Sequence, residues 1–268
     1  MTICIAAMCN GGDTIVVSAD RMVTVPGLSL EVERQRSKIA HVSNNQLVMS
    51  SGDGLLCSEI LHDLRKTYAP SEPSDVDESA DRFLGTYVAL RIRRLEEMFT
   101  RPIGYDFGRF MTDGLKNMGP QLHLNVVQQM GQFNLGADFI FVEFAAQQAR
   151  VALIAHPGTL RWLDSQEFYA IGSGSSHAVS SLLLSDHTIK CSCEQAVLNV
   201  YTAKRMAQRA PGVGVTTDLQ IVTRVGIKSL GDESFKILDE LHKTQTDRAS
   251  VSKDDFGKLK ESIDASKS

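Results

Sequence analysis

Cysteine is scarce in this sequence, which has five among 268 residues. An odd number of cysteines, mostly set in apolar runs, does not suit the disulfide framework that stabilises small secreted domains. The pattern favours reduced thiols and therefore predicts a cytoplasmic protein. These residues are Cys4, Cys9, Cys57, Cys191 and Cys193.

An excess of positive charge is also lacking. The 28 lysines and arginines are outnumbered by 32 aspartates and glutamates, and the formal net charge is −4. Without a basic excess there is no electrostatic case for binding nucleic acid or an anionic membrane. No apolar run approaches the roughly 20 residues of a membrane helix, and no basic segment precedes the apolar start, so we expect no signal peptide. We predict neither nucleic acid nor a membrane as a partner.

Patterns typical of metal and nucleotide sites are missing as well. The seven histidines form no i, i+4 pair and no Cys/His spacing of a metal site. Gly172-Ser173-Gly174 lies between a predicted strand and a predicted helix, where a phosphate-binding turn would lie. However, His177 occupies the third glycine position of a dinucleotide fingerprint, which makes nucleotide binding the weaker interpretation. We therefore predict no metal and no cofactor.

The sequence does have enough apolar content for a core. Hydrophobic residues make up 43% and charged residues 22%, which is ordinary for a globular protein. The length allows one large domain or two small ones.

The most informative stretch begins at Thr2. Removal of Met1 would leave a threonine whose hydroxyl and α-amine belong to one residue. An α-amine has a pKa of about 8, so part of it is neutral near neutral pH. A neutral amine can act as the base that activates the hydroxyl. Taken alone, a threonine at position 2 is most often simply tolerated there.

The strands that follow return two charged residues towards Thr2. Residues 2–8 and 14–20 are predicted strands joined by the Asn10–Asp13 turn, so a hairpin brings Asp20 beside Thr2. Two further runs, ending at Val42 and Gly52, extend the pattern. We expect one antiparallel meander to hold Thr2, Asp20 and Lys38 close together.

Several short motifs occur in one order along the chain. They are Thr2, Ser18-Ala19-Asp20-Arg21-Met22-Val23-Thr24, Lys38, Ser50-Ser51-Gly52-Asp53 and Tyr169-Ala170-Ile171-Gly172-Ser173-Gly174-Ser175. In this order and spacing, from residue 2 to about residue 225, the sequence resembles the proteasome β-type subunits and their bacterial relatives. These relatives, within the N-terminal-nucleophile hydrolases, include the heat-shock-locus peptidase and the ancestral β-subunit proteins.

The resemblance implies an α+β fold, a four-layer αββα sandwich with two antiparallel sheets between helix pairs. Residues 1–230 would form this domain. Residues 101–135 form a longer helical insert, expected to lie over the first helix layer, with a lid or a partner-binding surface as alternatives. Residues 231–268 would form a C-terminal helical extension.

The resemblance also implies roles in catalysis. Thr2 would attack a peptide carbonyl and form an acyl-enzyme that water hydrolyses. Lys38 corresponds to the lysine whose charge eases removal of the hydroxyl proton, and Asp20 to the acid that orients it. Ser173 corresponds to the serine beside the terminal amine.

Three further positions correspond to substrate-binding residues of that family. A backbone N–H around Ser51 and Gly52 would stabilise the oxyanion, with a register uncertain by about one or two residues. The backbone of Thr24 would pair with an extended substrate strand.

Each of these residues has a simpler interpretation. Asp20 could be a strand-end carboxylate paired with Arg21 or Arg36, and Lys38 could be a strand residue facing solvent. One departure from the family also stands out: Ala210 and Val213 occupy positions where proteasome subunits carry an aspartate and a serine near the terminal amine.

Three functions from different classes remain open. The leading one is a threonine peptidase inside a self-compartmentalised homo-oligomer. It would act on proteins or peptides, self-associate into rings, and have an ATPase that unfolds substrates as a candidate partner. The alternatives are a non-catalytic ring subunit of the same fold and a hydrolase of small amides.

Overall fold

The computed structural model describes residues 2–25, 30–33, 35, 37–43, 46–67, 76–145 and 148–248. The chain divides into two compact units, Met1–Ser229 and Leu230–Ser268. This division lies beside the boundary predicted at residue 230. The second unit contains one described helix, α7 (Asp232–Arg248).

The first unit mixes strands and helices. Its strands are β1 (Cys4–Cys9), β2 (Thr14–Asp20), β3 (Met22–Val25), β4 (Leu30–Glu33), β5 (Ile39–His41), β6 (Gln46–Gly52), β7 (Ala137–Ala145), β8 (Gln148–Ala155), β9 (Thr159–Trp162), β10 (Phe168–Ile171), β11 (Thr217–Thr223) and β12 (Gly226–Ser229). Its helices are α1 (Gly54–Thr67), α2 (Val76–Leu95), α3 (Phe107–Met118), α4 (Pro120–Gln132), α5 (Ser175–Leu184) and α6 (Cys193–Ala207).

Two five-stranded sheets organise this unit. The first has the order β10-β1-β2-β11-β12 and the second β5-β6-β7-β8-β9. Neighbouring strands in both sheets are antiparallel. Strands β3 and β4 form a separate pair. The fold is therefore α+β with several sheets.

The predicted single meander was wrong. Strands β5 and β6 do not continue the hairpin of β1 and β2 but belong to the second sheet, and the other neighbour of β1 is β10. The reason is that alternation along a strand specifies which faces are buried, not which strand lies beside it. Connections through loops and helices made both arrangements compatible with the sequence.

Alternation explains the apolar core shared by the two sheets. Along β1, Cys4, Ala6 and Met8 belong to one buried cluster with Leu47 and Met49 of β6. Successive side chains point to opposite faces of a strand, so every second residue reaches this cluster. The intervening residues of β6 and β7 belong to a second cluster with α1 and α2, which includes Val48, Phe139, Ile60, Phe83 and Tyr87.

Helices α5 and α6 contact the first sheet at β10, β1 and β2. Ser192 is the N-cap of α6, and its Oγ accepts from the N–H of Gln195 at 3.2 Å. Ser192 and Gln195 have the spacing of a capping box, but only half of it forms, because the Gln195 side chain donates to Asn199 Oδ1 at 2.7 Å instead of returning to the cap.

The predicted insert at 101–135 is helical and contains α3 and α4. Asp106 caps α3 by accepting from the N–H of Arg109 at 2.7 Å. The two helices share an apolar cluster that includes Leu95, Phe110 and Met130. Ser74 and Asp75 are residue types that suit an N-cap of α2, and both lie outside the described residues.

Candidate active site

Thr2 lies immediately before β1 and is 1% exposed. Its N–H donates to Ser173 Oγ at 3.3 Å, and its carbonyl accepts from the N–H of Gly174 at 3.3 Å. Ser173 Oγ also lies 3.2 Å from the carbonyl oxygen of Pro211, to which it can donate. The turn after β10 therefore anchors the backbone of Thr2 on both sides, because β10 is the neighbour of β1.

One oxygen of Asp20 gathers the groups around the threonine hydroxyl. Asp20 is fully buried at the end of β2. Its Oδ1 accepts from Thr2 Oγ1 at 2.6 Å, from the N–H of Ile3 at 3.1 Å and from Lys38 Nζ at 2.7 Å. The hairpin of β1 and β2, in which Cys4 pairs with Ala19, brings Thr2 and Asp20 together.

The other oxygen of Asp20 is held by backbone groups. Oδ2 accepts from the N–H of Met22 at 3.2 Å and from the N–H of Gly214 at 2.8 Å. A buried carboxylate is costly unless it is paired and hydrogen-bonded. Here each oxygen is hydrogen-bonded and Lys38 is the charged partner, so both requirements are met.

Lys38 reaches the site from the start of the second sheet. Its Nζ donates to Thr2 Oγ1 as well as to Asp20, and its side chain is 14% exposed. The interpretation of Lys38 as a residue facing solvent is therefore wrong. Arg21 pairs with Asp218 rather than with Asp20, and Arg36 lies outside the described residues.

This arrangement has a clear chemical consequence. The Thr2 hydroxyl donates to Asp20 and accepts from the Lys38 ammonium. A cation at the hydroxyl oxygen stabilises the negative charge that develops there when the proton leaves. The nearby Cys4 thiol is a poor competitor, because burial raises its pKa and Cys4 Sγ donates to the Ser50 carbonyl at 3.4 Å.

Gly172 is required by the close approach of its turn to Thr2. Its φ is +101°, and a Cβ there would lie 2.2 Å from the carbonyl oxygen of Thr2. Only glycine fits both the left-handed backbone and the space. The Gly174 N–H, which a phosphate-binding turn would offer to a ligand, is bonded to Thr2.

The loop after α6 supplies backbone groups near the site. Ala210 and Val213 are 7% and 9% exposed, so both positions hold buried apolar side chains. The loop contributes the Pro211 carbonyl to Ser173 and the Gly214 N–H to Asp20.

Our sequence reasoning missed Lys204 and Gly214. Lys204 is fully buried, and its Nζ donates to the carbonyls of Gly214 at 3.0 Å and Val215 at 2.7 Å. Burial lowers the pKa of Lys204 to about 8. The available signal was a lysine in the apolar stripe of α6, three residues after Tyr201. Gly214 had no such signal, because its contribution is a backbone N–H.

The predicted substrate-binding residues lie near the strand ends. Thr24 pairs with Glu31 of β4 through the backbone. Ser51 is buried and pairs with Asp138, whereas Gly52 is exposed with a φ of +103°. Among the described residues, neither Ser51 nor Gly52 hydrogen-bonds to Thr2, and their role in binding a substrate stays a prediction.

The described part of the chain contains no group of three or more His, Cys, Asp or Glu side chains that could hold a metal ion. Within the same residues, no helix is both long and apolar enough to cross a membrane. No family model and no curated protein matches the sequence. The geometry around Thr2 is therefore the basis for assigning a function to the chain.

Proposed function

We propose that this protein is a threonine peptidase of the N-terminal-nucleophile class, similar to the proteasome β-type subunits. The observation that carries the proposal is the contact of Thr2 Oγ1 with both Asp20 Oδ1 and Lys38 Nζ in a buried site. A threonine hydroxyl between a carboxylate and an ammonium group, at the second residue of the chain, suits a nucleophile that uses its own amine as base.

The proposed reaction has two steps. Thr2 Oγ forms a bond to the carbonyl carbon of a peptide, and its proton passes to the free α-amine of the same residue. The C–N bond then breaks, and the resulting α-ammonium gives that proton to the leaving amine. Water next attacks the ester and passes a proton to the α-amine. The C–Oγ bond breaks, Thr2 Oγ is reprotonated, and a carboxylic acid leaves.

The chain's own groups would assist this sequence at specific atoms. Lys38 would stabilise negative charge on Thr2 Oγ, and Asp20 would hold Lys38 in place. Ser173 Oγ, 3.3 Å from Thr2 N, would position the amine. The reaction requires removal of Met1, which lies outside the described residues.

The layered fold of this family is part of the proposal. Support comes from an apolar cluster that joins residues of both sheets, and from the contacts of α1 and α2 with the second sheet and of α5 and α6 with the first. We propose that these layers form an αββα sandwich.

Self-association into a ring is the assembly we propose. Pairs of large apolar side chains that are neighbours along a helix and exposed on the single chain support it, since neighbouring exposed apolar residues can mark an interface. On α5, Leu183 and Leu184 are 61% and 85% exposed, and on α3, Met111 and Leu115 are 55% and 54% exposed. A cytoplasmic location, protein or peptide substrates and an unfolding ATPase belong to the same proposal.

Intact mass spectrometry with a peptide epoxyketone tests the function directly. This probe reacts with a hydroxyl and an amine of one residue, so the wild-type chain should lack Met1 and gain one probe mass on Thr2. Thr2→Ala should gain none. Retention of Met1 or labelling of Thr2→Ala would contradict the proposal.

Probe labelling, combined with turnover of peptides and of small amides, separates the alternatives. A non-catalytic ring subunit would form a ring but leave both the probe and peptides unchanged. A hydrolase of small amides would cleave small amides and leave longer peptides intact. Turnover of fluorogenic peptides, lost in Thr2→Ala, is the result that we expect.

A further inference from the structure

A fully buried lysine lies behind the candidate active site. Lys204 is on α6. Its Nζ donates to the carbonyls of Gly214 at 3.0 Å and Val215 at 2.7 Å. The N–H of Gly214 donates to Asp20 Oδ2 at 2.8 Å. Lys204 and Asp20 therefore bind two successive peptide groups that meet at the Cα of Gly214.

Burying Lys204 costs the fold free energy, so stability does not explain its position. A lysine is almost never fully buried unless it is paired, and the two described acceptors of Nζ are neutral carbonyls. Burial lowers the pKa of Lys204 to about 8, while the charges of Asp20 and Glu33 act in the opposite direction. An apolar side chain of similar length would fill the same space without this desolvation cost.

The Gly214 peptide is tightly enclosed. A Cβ at Gly214 would lie 2.4 Å from Glu33 Oε1 and 3.0 Å from Met22 Cβ. On the far side of the loop, Thr216 donates to Glu33 through its N–H at 2.8 Å and its hydroxyl at 2.6 Å. The Val215 carbonyl also accepts from Gln208 Nε2 at 3.1 Å and from Thr217 Oγ1 at 3.3 Å. Lys204 Nζ holds the Gly214 carbonyl, and so restrains the Gly214 backbone, which carries the N–H that faces Asp20.

We propose that Lys204 is a positioning residue for Asp20, acting through the backbone of Gly214. Its ammonium group holds the Gly214 carbonyl and contributes to holding that of Val215, which restrains the Gly214 backbone so that its N–H donates to Asp20 Oδ2. Asp20 then holds its other oxygen between Thr2 Oγ1 and Lys38 Nζ. The inference rests on the proposed threonine-nucleophile function. It assigns to a backbone N–H and a buried lysine the loop contacts that Ala210 and Val213 cannot make through their side chains.

Hydrogen exchange and probe labelling test this together. In Lys204→Met the amides of residues 208–217 should exchange about tenfold faster than in wild type, because charged hydrogen bonds to two carbonyls are lost. Residues 139–144 of β7, which report global unfolding, are the reference for this comparison. The rate constant for epoxyketone labelling should fall by about tenfold or more, with the same probe affinity. Lys190→Met, at an exposed lysine, should match wild type in both measurements.

Lys204→Arg keeps a charged donor and should recover both the protection and the labelling rate. If it stays as impaired as Lys204→Met, the defect is one of packing and the inference is overturned. Unchanged exchange of residues 208–217 in Lys204→Met would also overturn it. Because exchange needs no activity, a wild-type chain that fails to label would refute the proposed function while the exchange data still decide the role of Lys204.

A measurement on the wild-type chain covers the case in which Lys204→Met does not fold. The charged groups around Lys204 are Asp20, Glu33, Asp218 and Arg205. Carboxylates and guanidinium groups ordinarily titrate far from pH 8, but the free α-amine of Thr2, which contacts this loop through Ser173, titrates near it. Local openings that leave Lys204 buried break its hydrogen bonds to the loop, and these bonds weaken as the lysine becomes neutral. Raising the pH from about 7 to about 9 should therefore lower the protection factor of residues 208–217 severalfold relative to β7, although the global free energy of unfolding rises over the same range. Lys204→Arg, which stays charged, should not show this loss of protection. Equal protection at both pH values would overturn the inference.

Discussion

At the scale of single residues, the buried carboxylate of Asp20 is the centre of the candidate site. It accepts five hydrogen bonds, from Thr2, Ile3, Met22, Lys38 and Gly214. Lys38 is the charged partner among them. The stability of the fold and the reactivity of Thr2 should therefore depend on the same ion pair.

Removing the charge of Lys38 should damage both properties. Lys38→Met leaves the buried Asp20 carboxylate without its cation, which should lower the free energy of unfolding by about 3–5 kcal/mol. Epoxyketone labelling of Thr2 should fall by at least about a hundredfold, because the cation at the hydroxyl is lost. Urea unfolding and intact mass spectrometry measure the two effects.

Lys38→Arg is the matched control for charge. It should recover part of the stability but not the labelling, because a planar guanidinium cannot replace a point charge at Thr2 Oγ1. Wild-type labelling in Lys38→Met would remove Lys38 from the mechanism.

Lys204 should make stability depend on pH. Burial lowers its pKa from 10.5 to about 8, so between these values the folded chain binds fewer protons than the unfolded chain. The free energy of unfolding should then rise with pH across this window. The upper limit is about 3.5 kcal/mol, at about 1.4 kcal/mol per pKa unit. Below about pH 8 the charged, buried lysine imposes its full cost on folding.

Urea unfolding of wild type and Lys204→Met, at several pH values between about 7.5 and about 10.5, measures this term. The free energy of unfolding of wild type, relative to that of Lys204→Met, should increase as the pH rises. Parallel curves for the two proteins would show that the lysine has an ordinary pKa in the folded chain.

At the scale of elements, the turn between β10 and α5 sets the position of Thr2. Gly172→Ala would place a Cβ 2.2 Å from the Thr2 carbonyl oxygen at a φ of +101°. We expect a loss of about 2–4 kcal/mol in stability, since both the backbone strain and the clash oppose folding. Labelling of Thr2 should fall as well, because the clash displaces its backbone.

Gly85→Ala is the control for this change. It lies within α2, where a Cβ at Gly85 would meet no atom within 4 Å. Alanine should stabilise the chain there by about 0.5–1 kcal/mol through helix propensity. Thermal unfolding compares the two variants, and equal melting temperatures would contradict the role assigned to Gly172.

At the scale of the whole molecule, the C-terminal segment should be dispensable for assembly. Deleting residues 245–268 removes the end of α7 and a polar segment that lies outside the described residues. The proposed ring should persist, because polar chain termini tolerate truncation. Sedimentation velocity measures the result, and conversion of the oligomer to a monomer would assign this segment to the interface.

Much of the site could be predicted from the sequence because its signals are local. The Asn10–Asp13 turn and two alternating strands are enough to return Asp20 to Thr2, and the structure has this hairpin. The strands, and the helices of the insert, follow from periodicity in the same way. Each such pattern involves residues close in sequence, so each could be interpreted without knowing the fold.

The partners of those elements were decided only by the tertiary structure. Both sheets present similar alternating strands, and nothing along β10 distinguishes β1 from β9 as its neighbour. The contacts of Lys204 and Gly214 belong to the same category. A buried cation is informative only once its acceptors are known, and a backbone N–H is the same at every residue. The sequence by itself determined which residues could do chemistry, while long-range packing decided which of them meet.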